Sequence, residues 1–500
     1  MNEMTNIAGL GEAAKSFLAR AGKMLIDGKW VAAASGKTFD VIDPATENVI
    51  AKVAEGDKED IDRAVKAARK AFDDSAWSRM LPSGRERLLL KLADLVEANE
   101  EELAQLESVD NGKLVMFAKM VDVHGSVDFL RYMAGWATKI YGTTLDVSIG
   151  IPNTEYQAFT LKQPVGVCGQ IIPWNFPLAM AVWKLAPALA TGCTCVLKPA
   201  EQTPLTALRL GELVLEAGFP PGVVNIVTGY GETAGAALCK HPGVDKLAFT
   251  GSTEVGKLIG KAAVDGLKRF SLELGGKSPV VITEDVSLEM AIPGAANAIF
   301  FNQGEVCTAG SRLFIHDKHF DKVVAGVAGI AKGMKLGAGY DPSSQMGPLV
   351  SDEQLQRVLG YIDKGRKEGG EVVAGGARQG NKGYFVQPTV FTGVGPDATL
   401  AREEIFGPVV IASPYKSADD IAAMANNTAY GLAASIWSNN LGFAHRLAKR
   451  IKAGTVWVNC HNLLDANMPF GGFKQSGIGR ENGAAAIETY TETKTVLMSI

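Results

Sequence analysis

A cysteine among small and polar residues has the clearest chemical potential in this 500-residue sequence. Cys307 stands in FFNQGEVCTAGSR, between Gly304 and Gly310, in surroundings that predict a flexible loop. A nucleophilic cysteine needs a lowered pKa, access to substrate and oriented hydrogen-bond donors. A buried structural thiol is the alternative for a single cysteine, and the residues around Cys307 leave it open.

Two further segments supply groups that a nucleophile needs. Glu273 ends the apolar run of LELGGKSP, where a partly buried carboxylate has a raised pKa and can act as a base. Asn175 lies between the prolines of PWNFP, which fix the backbone around an amide donor suited to an oxyanion. A capping or salt-bridged glutamate and a turn asparagine are the structural alternatives.

Several motif matches are incomplete. FTGSTEVGKL fits a phosphate loop from Gly251 onward, but Leu258 replaces the Ser or Thr that would hold magnesium. The segment GYGETAG, from Gly229 to Gly235, is one residue off the common dinucleotide fingerprint. G-x-S-x-G and H-E-x-x-H are both absent, which removes two routes to a hydrolase.

Composition narrows the class of protein. The hydrophobic fraction is 47%, the charged fraction 21% and the net charge −4, as in ordinary globular chains. The balance of charge argues against a nucleic-acid or membrane partner. The N-terminus lacks a signal-peptide pattern, and the six cysteines form no C-x-x-C pair, so a reduced, cytoplasmic protein without bound metal is expected.

The hydrophobic pattern predicts an α/β fold. Asp27-Gly28 predicts a β-hairpin, and residues 57–75 and 84–109 predict amphipathic helices. From about residue 165, short β-branched runs alternate with helical stretches, and a second such region begins at residue 279. This alternation is typical of parallel sheets covered by helices, which bind ligands beyond the carboxyl ends of their strands.

Several long motifs occur in one order along the chain. They are PWNFP, LKPAEQTP, FTGSTEVG, LELGGKSP, the cysteine segment, EEIFGPV and PFGGFKQSGIGRE. In this set the chain resembles the aldehyde dehydrogenase superfamily over essentially its whole length. The resemblance implies that Cys307 attacks an aldehyde, that Asn175 and the Cys307 backbone N–H hold the oxyanion, and that Glu273 activates water. It also implies a proton relay through Lys184 and Glu481.

The same resemblance implies NAD as cofactor. Glu201 would bond ribose hydroxyls and repel the extra phosphate of NADP, and Gly251 and Ser252 would face the pyrophosphate at a helix start. The full set of implied cofactor positions is Ile171, Pro173, Trp174, Lys198, Glu201, Gly231, Gly251, Ser252, Gly275, Glu404 and Phe406.

The substrate positions implied by the resemblance are mostly apolar and aromatic. They are Phe176, Met180, Trp183, Val306, Thr308, Leu464 and Phe470. Two stretches, 130–149 and 458–477, are similar to bacterial phenylacetaldehyde dehydrogenases, so a hydrophobic, aromatic aldehyde is expected. An aliphatic, betaine or amino aldehyde is the alternative, as is a non-catalytic binding or structural member of the family.

The resemblance also implies three parts of the chain. Residues 1–142 and 161–273 would form a Rossmann-like NAD-binding domain, and residues 274–475 an α/β catalytic domain. Residues 143–160 and 487–500 would form a small β-ribbon for assembly into a homodimer or homotetramer.

Overall fold

The computed structural model describes residue 7 and residues 9–500. The expectations for the extreme N-terminus lie partly outside these residues. The strands, in chain order, are β1 (Met24–Ile26), β2 (Lys29–Val31), β3 (Thr38–Asp43), β4 (Asn48–Ala54), β5 (Thr144–Leu145), β6 (Tyr156–Pro164), β7 (Val167–Ile171), β8 (Thr194–Lys198), β9 (Val224–Ile226), β10 (Lys246–Thr250), β11 (Arg269–Glu273), β12 (Pro279–Ile282), β13 (Arg312–His316), β14 (Glu371–Ala374), β15 (Thr389–Thr392), β16 (Val409–Tyr415), β17 (Ala433–Trp437), β18 (Thr455–Val458), β19 (Gly477–Ile478) and β20 (Thr491–Ser499).

The α-helices are α1 (Glu12–Arg20), α2 (Lys58–Asp73), α3 (Pro82–Ala98), α4 (Glu100–Asn111), α5 (Val115–Phe117), α6 (His124–Trp136), α7 (Pro177–Thr191), α8 (Leu205–Ala217), α9 (Ala236–Lys240), α10 (Thr253–Asp265), α11 (Leu288–Phe300), α12 (Phe320–Gly333), α13 (Asp352–Lys367), α14 (Thr399–Arg402), α15 (Ala418–Asn426), α16 (Leu441–Arg450) and α17 (Gly483–Thr489). In the described part of the chain, none of these helices is both long and apolar enough to cross a membrane.

A twisted sheet in the order β19-β11-β10-β7-β8-β9-β1-β2 forms the first half of the molecule. Its five central strands, β11 to β9, run parallel. Strands β7 and β8 are almost entirely buried, as expected for parallel strands that helices cover on both faces. The predicted alternation of strands and helices from residue 165 is confirmed.

The predicted hairpin is also confirmed. Strands β1 and β2 pair antiparallel, and the two residues between them, Asp27 and Gly28, have φ of 52° and 71°. Positive φ at both central positions is the geometry of a type I′ turn, which matches the twist of the strands. The hairpin adds the N-terminal segment to the edge of the sheet at β9.

The helices before residue 112 differ in part from the predicted pattern. Helix α2 is amphipathic, as expected, and begins with a capping box at Asp57. The single amphipathic helix predicted over 84–109 is wrong, because the chain breaks at Asn99 into α3 and α4. Helix α4 is buried on all sides from Glu102 to Asn111, so its polar residues face protein rather than water.

A second sheet, in the order β14-β15-β16-β13-β12-β17-β18, forms the other half. All its neighbouring strands are parallel except β14 and β15. The predicted second α/β region is therefore confirmed. The chain leaves the first sheet at Glu273 and enters the second at Pro279, so the two sheets share a short joint.

A three-stranded sheet, β20-β6-β5, extends from the first half. Strands β6 and β20 pair antiparallel along their whole length, from Tyr156 opposite Ser499 to Pro164 opposite Thr491. The segments expected to form a β-ribbon, residues 143–160 and 487–500, contribute to these three strands. Most residues of β20 are exposed or half-exposed.

Trp77 anchors the turn after α2 in the hydrophobic core of the first half of the molecule. Its ring is buried and its Nε1 donates to the carbonyl oxygens of Gly192 (3.0 Å) and Cys193 (3.2 Å). We expect Trp77→Ala to lower the free energy of unfolding by about 3–5 kcal/mol, measured by urea unfolding, because it leaves a cavity and unpaired carbonyls. Leu81→Ala is the matched control, since Leu81 is 72% exposed and its loss should cost less than about 0.5 kcal/mol.

Candidate active site

The predicted nucleophile lies on a loop between α11 and β13. Before it, Asn302, Gln303 and Gly304 all have left-handed backbone conformations, with φ of 48°, 56° and 71°. Such a run costs about 1–2 kcal/mol per non-glycine residue, so the surroundings must hold it. Gly304 also has no room for a side chain, because a Cβ there would lie 2.2 Å from the carbonyl oxygen of Gly407. The sequence had suggested a flexible loop, but its neighbours fix it.

Asn175 and the nucleophile loop hold each other. The Asn175 Nδ2 donates to the carbonyl oxygen of Glu305 at 2.9 Å, two residues before Cys307. The Asn302 Nδ2 donates in return to the carbonyl oxygen of Asn175 at 3.2 Å. Because an amide nitrogen carries two hydrogens, Asn175 retains a second donor for an oxyanion.

Burial raises the pKa of the Cys307 thiol, and the carboxylates of Glu404 and Glu273 raise it further. The lowered pKa that a nucleophile needs is therefore not supplied by the protein's own groups. The residue as a whole is half-buried, whereas Cys168, Cys193, Cys195 and Cys239 are buried. Cys307 must lose a proton before it can attack.

Glu273 ends strand β11 with its carboxylate buried. Neither oxygen has a hydrogen-bond partner among the described residues. Burial raises the pKa of this carboxyl well above its usual range, and the nearby Glu481 adds to the effect, while Lys184 and Arg480 oppose it. An unpaired carboxylate with a raised pKa is the state expected of a general base.

Lys184 and Glu481 form a buried ion pair beside Glu273. The Lys184 Nζ donates to Glu481 Oε1 at 2.5 Å and to Thr250 Oγ1 at 2.7 Å. The second oxygen of Glu481 has no partner among the described residues. The structure thus brings together Glu273, Lys184 and Glu481, the three groups that the sequence linked as base and relay.

The predicted cofactor residues lie at the carboxyl edge of the first sheet. Ile171 and Lys198 are neighbours at the ends of β7 and β8. The Lys198 Nζ lies 3.2 Å from Glu201 Oε2, so an ammonium and a carboxylate stand together there. Burial lowers the pKa of Lys198, and Glu201 opposes this shift.

Two glycine-containing helix starts face the same edge. Ser252 caps α10, its Oγ accepting from the backbone N–H of Val255 at 3.3 Å, and Gly251 immediately precedes it. Gly231 begins the helical turn after β9, and a Cβ built there would meet nothing within 4 Å. The protein's own packing therefore leaves open space beside Gly231.

The segment around Glu404 closes the site from the second half. Glu404 Oε1 accepts from the backbone N–H of Gly276 at 2.9 Å, and burial raises the pKa of this carboxyl to about 7. A Cβ at Gly275 would lie 2.1 Å from Glu404 Oε2, so a larger residue there would displace this carboxylate. Phe406, which has a φ of 60°, contacts Trp174 edge-on with ring centroids 5.2 Å apart. Pro173 precedes this tryptophan and is half-buried.

The predicted substrate residues lie on α7 and around it. Met180 and Trp183 share one face of α7, and Phe176 immediately precedes that helix. The Trp183 ring contacts Phe470 edge-on at 5.5 Å. Val306 and Thr308 flank the nucleophile; Val306 packs into the core of the second sheet, and the Thr308 hydroxyl donates to Asn462 Oδ1 at 2.6 Å. Leu464 is 43% exposed.

Sequence reasoning missed two groups of polar residues beside the site. The Asn111 Nδ2 donates to the carbonyl oxygen of Trp174 at 2.9 Å, and the Lys113 Nζ lies 4.1 Å from the centroid of Phe176. His461 bonds the Thr308 carbonyl oxygen at 3.0 Å and Ser435 Oγ at 3.0 Å. The sequence offered one signal for the first group, the polar run DNGK at the end of a long helical pattern. The structure buries this run, so its polar groups must be satisfied by protein.

No group of three or more His, Cys, Asp or Glu side chains within residues 7 and 9–500 is placed to hold an ion.

The order and geometry of these groups agree with a known family. The model of the aldehyde dehydrogenase family matches residues 30–496. The chain belongs to this family. Phenylacetaldehyde dehydrogenase of Pseudomonas fluorescens is 52% identical over 480 residues, covering 95% of this chain and 96% of that protein. Mitochondrial aldehyde dehydrogenase of Homo sapiens is 49% identical over 480 residues, covering 96% and 92%.

A solved aldehyde dehydrogenase structure, the NAD⁺ complex from Bacillus cereus, superimposes with a TM-score of 0.96. It is 52% identical, and the match covers 98% of this chain and 99% of that one. The predicted fold class, an aldehyde dehydrogenase fold with parallel sheets and helices, is thereby confirmed.

The raised pKa of Cys307 can be tested by alkylation in Glu404→Gln. Removing the Glu404 charge lowers the pKa of the thiol, so iodoacetamide should modify Cys307 faster, by up to about 10-fold above pH ~8. Below about pH 6 the native Glu404 is itself protonated, since its pKa is about 7, and the two proteins should react alike. Mass spectrometry after limited labelling measures both rates.

Cys460 is the internal control for this experiment, because it is the other half-buried cysteine and its pKa is raised by burial without a contribution from Glu404. Its labelling should be unchanged in Glu404→Gln. Equal acceleration at Cys460 would show a general loosening of the structure instead of a local charge effect.

Proposed function

We propose that this protein oxidises a hydrophobic, aromatic aldehyde, phenylacetaldehyde, to its acid with NAD, through a covalent intermediate on Cys307. The observation that carries the proposal is the convergence of the half-buried Cys307, an amide donor at Asn175 and an unpaired buried carboxylate at Glu273. Intact groups of this kind argue against a non-catalytic binding or structural role.

The thiolate of Cys307 adds to the aldehyde carbon and forms a thiohemiacetal. The free N–H of the Asn175 amide and the Cys307 backbone N–H stabilise the charge on the former carbonyl oxygen. When bound, NAD supplies the acceptor for the hydride that leaves this carbon. The product on the enzyme is a thioester of Cys307.

Glu273 then takes a proton from water, which attacks the thioester carbon and releases the acid and the thiol. Its neighbours Lys184 and Glu481 offer a route by which that proton moves away from the site. A carboxylate without a hydrogen-bond partner is well suited to this work, since no contact must break before it accepts the proton.

The residues at the edge of the first sheet fit a dinucleotide. Glu201 and Lys198 offer an acceptor and a donor to ribose hydroxyls, and the start of α10 at Ser252 offers backbone N–H groups to phosphate. Gly231 is exposed, and a Cβ there would meet no atom within 4 Å, so its backbone can be approached from solvent. Glu404 would hold the second ribose. Because a 2′-phosphate would be repelled by Glu201, NAD is favoured over NADP.

The substrate assignment is supported by the aromatic character of the α7 face and by the relative named for phenylacetaldehyde. Trp183 contacts both Phe470 and Phe129, at 5.5 Å and 6.0 Å, so an aromatic wall is already in place. Aliphatic, betaine and amino aldehydes are the alternative substrates. None of the predicted substrate residues is charged, which disfavours a cationic or carboxylated aldehyde.

We extend the proposal to the division of labour in the chain. Residues 1–142 and 161–273 bind the dinucleotide, residues 274–475 carry the nucleophile, and residues 143–160 with 487–500 form the assembly ribbon. The largely exposed strand β20 supports the last assignment, because it is an edge strand of its sheet, and an edge strand with an uncovered face favours a second copy as partner.

Cys307→Ala and Glu273→Gln separate the two chemical steps. With phenylacetaldehyde and NAD, Cys307→Ala should form no NADH above background while still binding NAD. Glu273→Gln should keep a single burst of NADH and lose steady-state turnover by about 10²–10⁴-fold, because the thioester accumulates. Stopped-flow absorbance and intact-mass measurement detect these two outcomes. Full turnover in Glu273→Gln would contradict the assignment of the base.

The pH dependence follows from the direction of the Glu273 shift. This carboxyl has a raised pKa, so its basic form is lost as the pH falls through a value above the usual carboxyl range. The acidic limb of kcat should therefore lie well above pH ~4.5. Glu481→Gln removes a charge that raises the pKa of Glu273 and should move this limb to lower pH.

A panel of aldehydes tests the substrate. We expect kcat/KM for phenylacetaldehyde to exceed that for acetaldehyde by at least about 10-fold, the scale on which apolar pockets discriminate. Trp183→Ala should narrow the difference, because it removes part of the aromatic wall. A preference for betaine aldehyde or succinic semialdehyde would overturn the substrate proposal.

The choice of cofactor is tested by Glu201→Ser. Loss of the carboxylate removes repulsion toward a 2′-phosphate, so kcat/KM for NADP should rise by about 10-fold and that for NAD should fall. Glu232→Ser is the control, since Glu232 is exposed on the neighbouring turn and lacks the Lys198 contact at 3.2 Å. Unchanged NADP kinetics in Glu201→Ser would exclude this role.

A further inference from the structure

Residues at the end of helix α4 contact the segment that carries Asn175. Three alternate residues of that segment, Trp174, Phe176 and Leu178, are each contacted by one side chain. The Asn111 Nδ2 donates to the carbonyl oxygen of Trp174 at 2.9 Å. The Lys113 Nζ lies 4.1 Å from the centroid of the Phe176 ring.

The third contact lies at the start of α7. Glu107 Oε2 accepts from the backbone N–H of Leu178 at 3.2 Å. This N–H belongs to the first turn of α7, where backbone donors have no partner within the helix and a carboxylate is favoured by the helix dipole. Trp174, Phe176 and Leu178 are therefore all contacted by this group of residues, and Asn175 lies between Trp174 and Phe176.

The gripping groups are themselves held by one another. The Lys113 Nζ donates to Glu107 Oε1 at 3.2 Å and to Asp122 Oδ2 at 2.7 Å. Asn111 Oδ1 accepts from the backbone N–H of Lys113 at 3.1 Å. All four side chains are buried, so each hydrogen bond is protected from water and costly to leave unmade.

We propose that Glu107, Asn111 and Lys113 are positioning residues that fix the Asn175 amide toward the nucleophile loop. The prolines at 173 and 177 restrict the ends of the segment, and the three contacts remove the freedom that remains at Trp174 and Phe176. Asn175 is then left one direction for its amide, toward the Glu305 carbonyl and the site of the oxyanion. The proposal rests on the oxyanion role of Asn175 in the proposed function.

A double-mutant cycle between Asn111 and Asn175 tests the proposal. Asn111→Ala should lower kcat/KM for the aldehyde by about 10-fold, because misplacement of an oxyanion donor costs rate on this scale. In an Asn175→Ala background the same change should alter kcat/KM by less than about 2-fold, since the amide that it positions is gone. The affinity for NAD, measured by fluorescence, should be the same in all four proteins.

Asn225→Ala is the matched control for lost stability. Asn225 is also fully buried and donates to backbone carbonyl oxygens, those of Gly222 (2.8 Å) and Cys195 (3.2 Å), within the first sheet. It should lower the unfolding midpoint in urea and leave kcat/KM unchanged. Asn111→Ser, which leaves a smaller void, repeats the cycle if Asn111→Ala folds poorly.

The results of the double-mutant cycle distinguish the positioning role of Asn111 from the oxyanion role of Asn175. An equal loss from Asn111→Ala in both backgrounds, or no loss in either, would overturn the positioning role while leaving the proposed function intact. A normal kcat/KM in Asn175→Ala alone would overturn the oxyanion assignment, and the positioning role with it. Coupling between the two sites together with unchanged NAD affinity supports the proposal.

Discussion

Two reciprocal hydrogen bonds between the two halves of the molecule organise the site. The Asn175 amide comes from the first sheet, and the Glu305 carbonyl that it bonds comes from the loop feeding the second sheet. The left-handed run at residues 302–304 is strained, and it persists because the contacts of Asn175 and Asn302 hold it from both sides. The oxyanion donor and the nucleophile loop are thus held together, although Asn175 follows a strand of the first sheet and Cys307 precedes a strand of the second.

The buried carboxylates divide according to their partners. Glu107 is paired with Lys113 and bonded to the start of α7, so its charge is spent on holding structure. Both oxygens of Glu273 lack a hydrogen bond among the described residues, and burial raises the pKa of that carboxyl. A buried carboxylate without a hydrogen bond lowers the stability of the fold, and such a group is typical of functional sites, in agreement with the proposed base role. Glu107 and Glu273 therefore differ in their hydrogen bonding rather than in residue type.

The sequence predicted what depends on local pattern. The alternation of strands and helices in both sheets, the Asp27-Gly28 hairpin and the proline-flanked segment of Asn175 were all readable, since period, turn residues and proline act over a few positions. The burial of α4 was not readable, because some of its polar residues are satisfied by groups more than sixty positions away, such as Asn111 by Trp174 and Glu107 by Leu178. The raised pKa of Cys307 was equally hidden, since it depends on Glu404 and Glu273 in space.

The return of the C-terminus to the first sheet has a consequence for biosynthesis. Strand β19 pairs with β11, β20 pairs with β6, and the Tyr490 carbonyl oxygen accepts from the backbone N–H of Val165 at 3.0 Å. Strands β12 to β18 lie between, so the second sheet can assemble while the ribosome still holds the residues that complete the first. The earliest half to be translated is therefore the last to be finished, and its unpaired strand edges must be protected from aggregation until the final residues emerge.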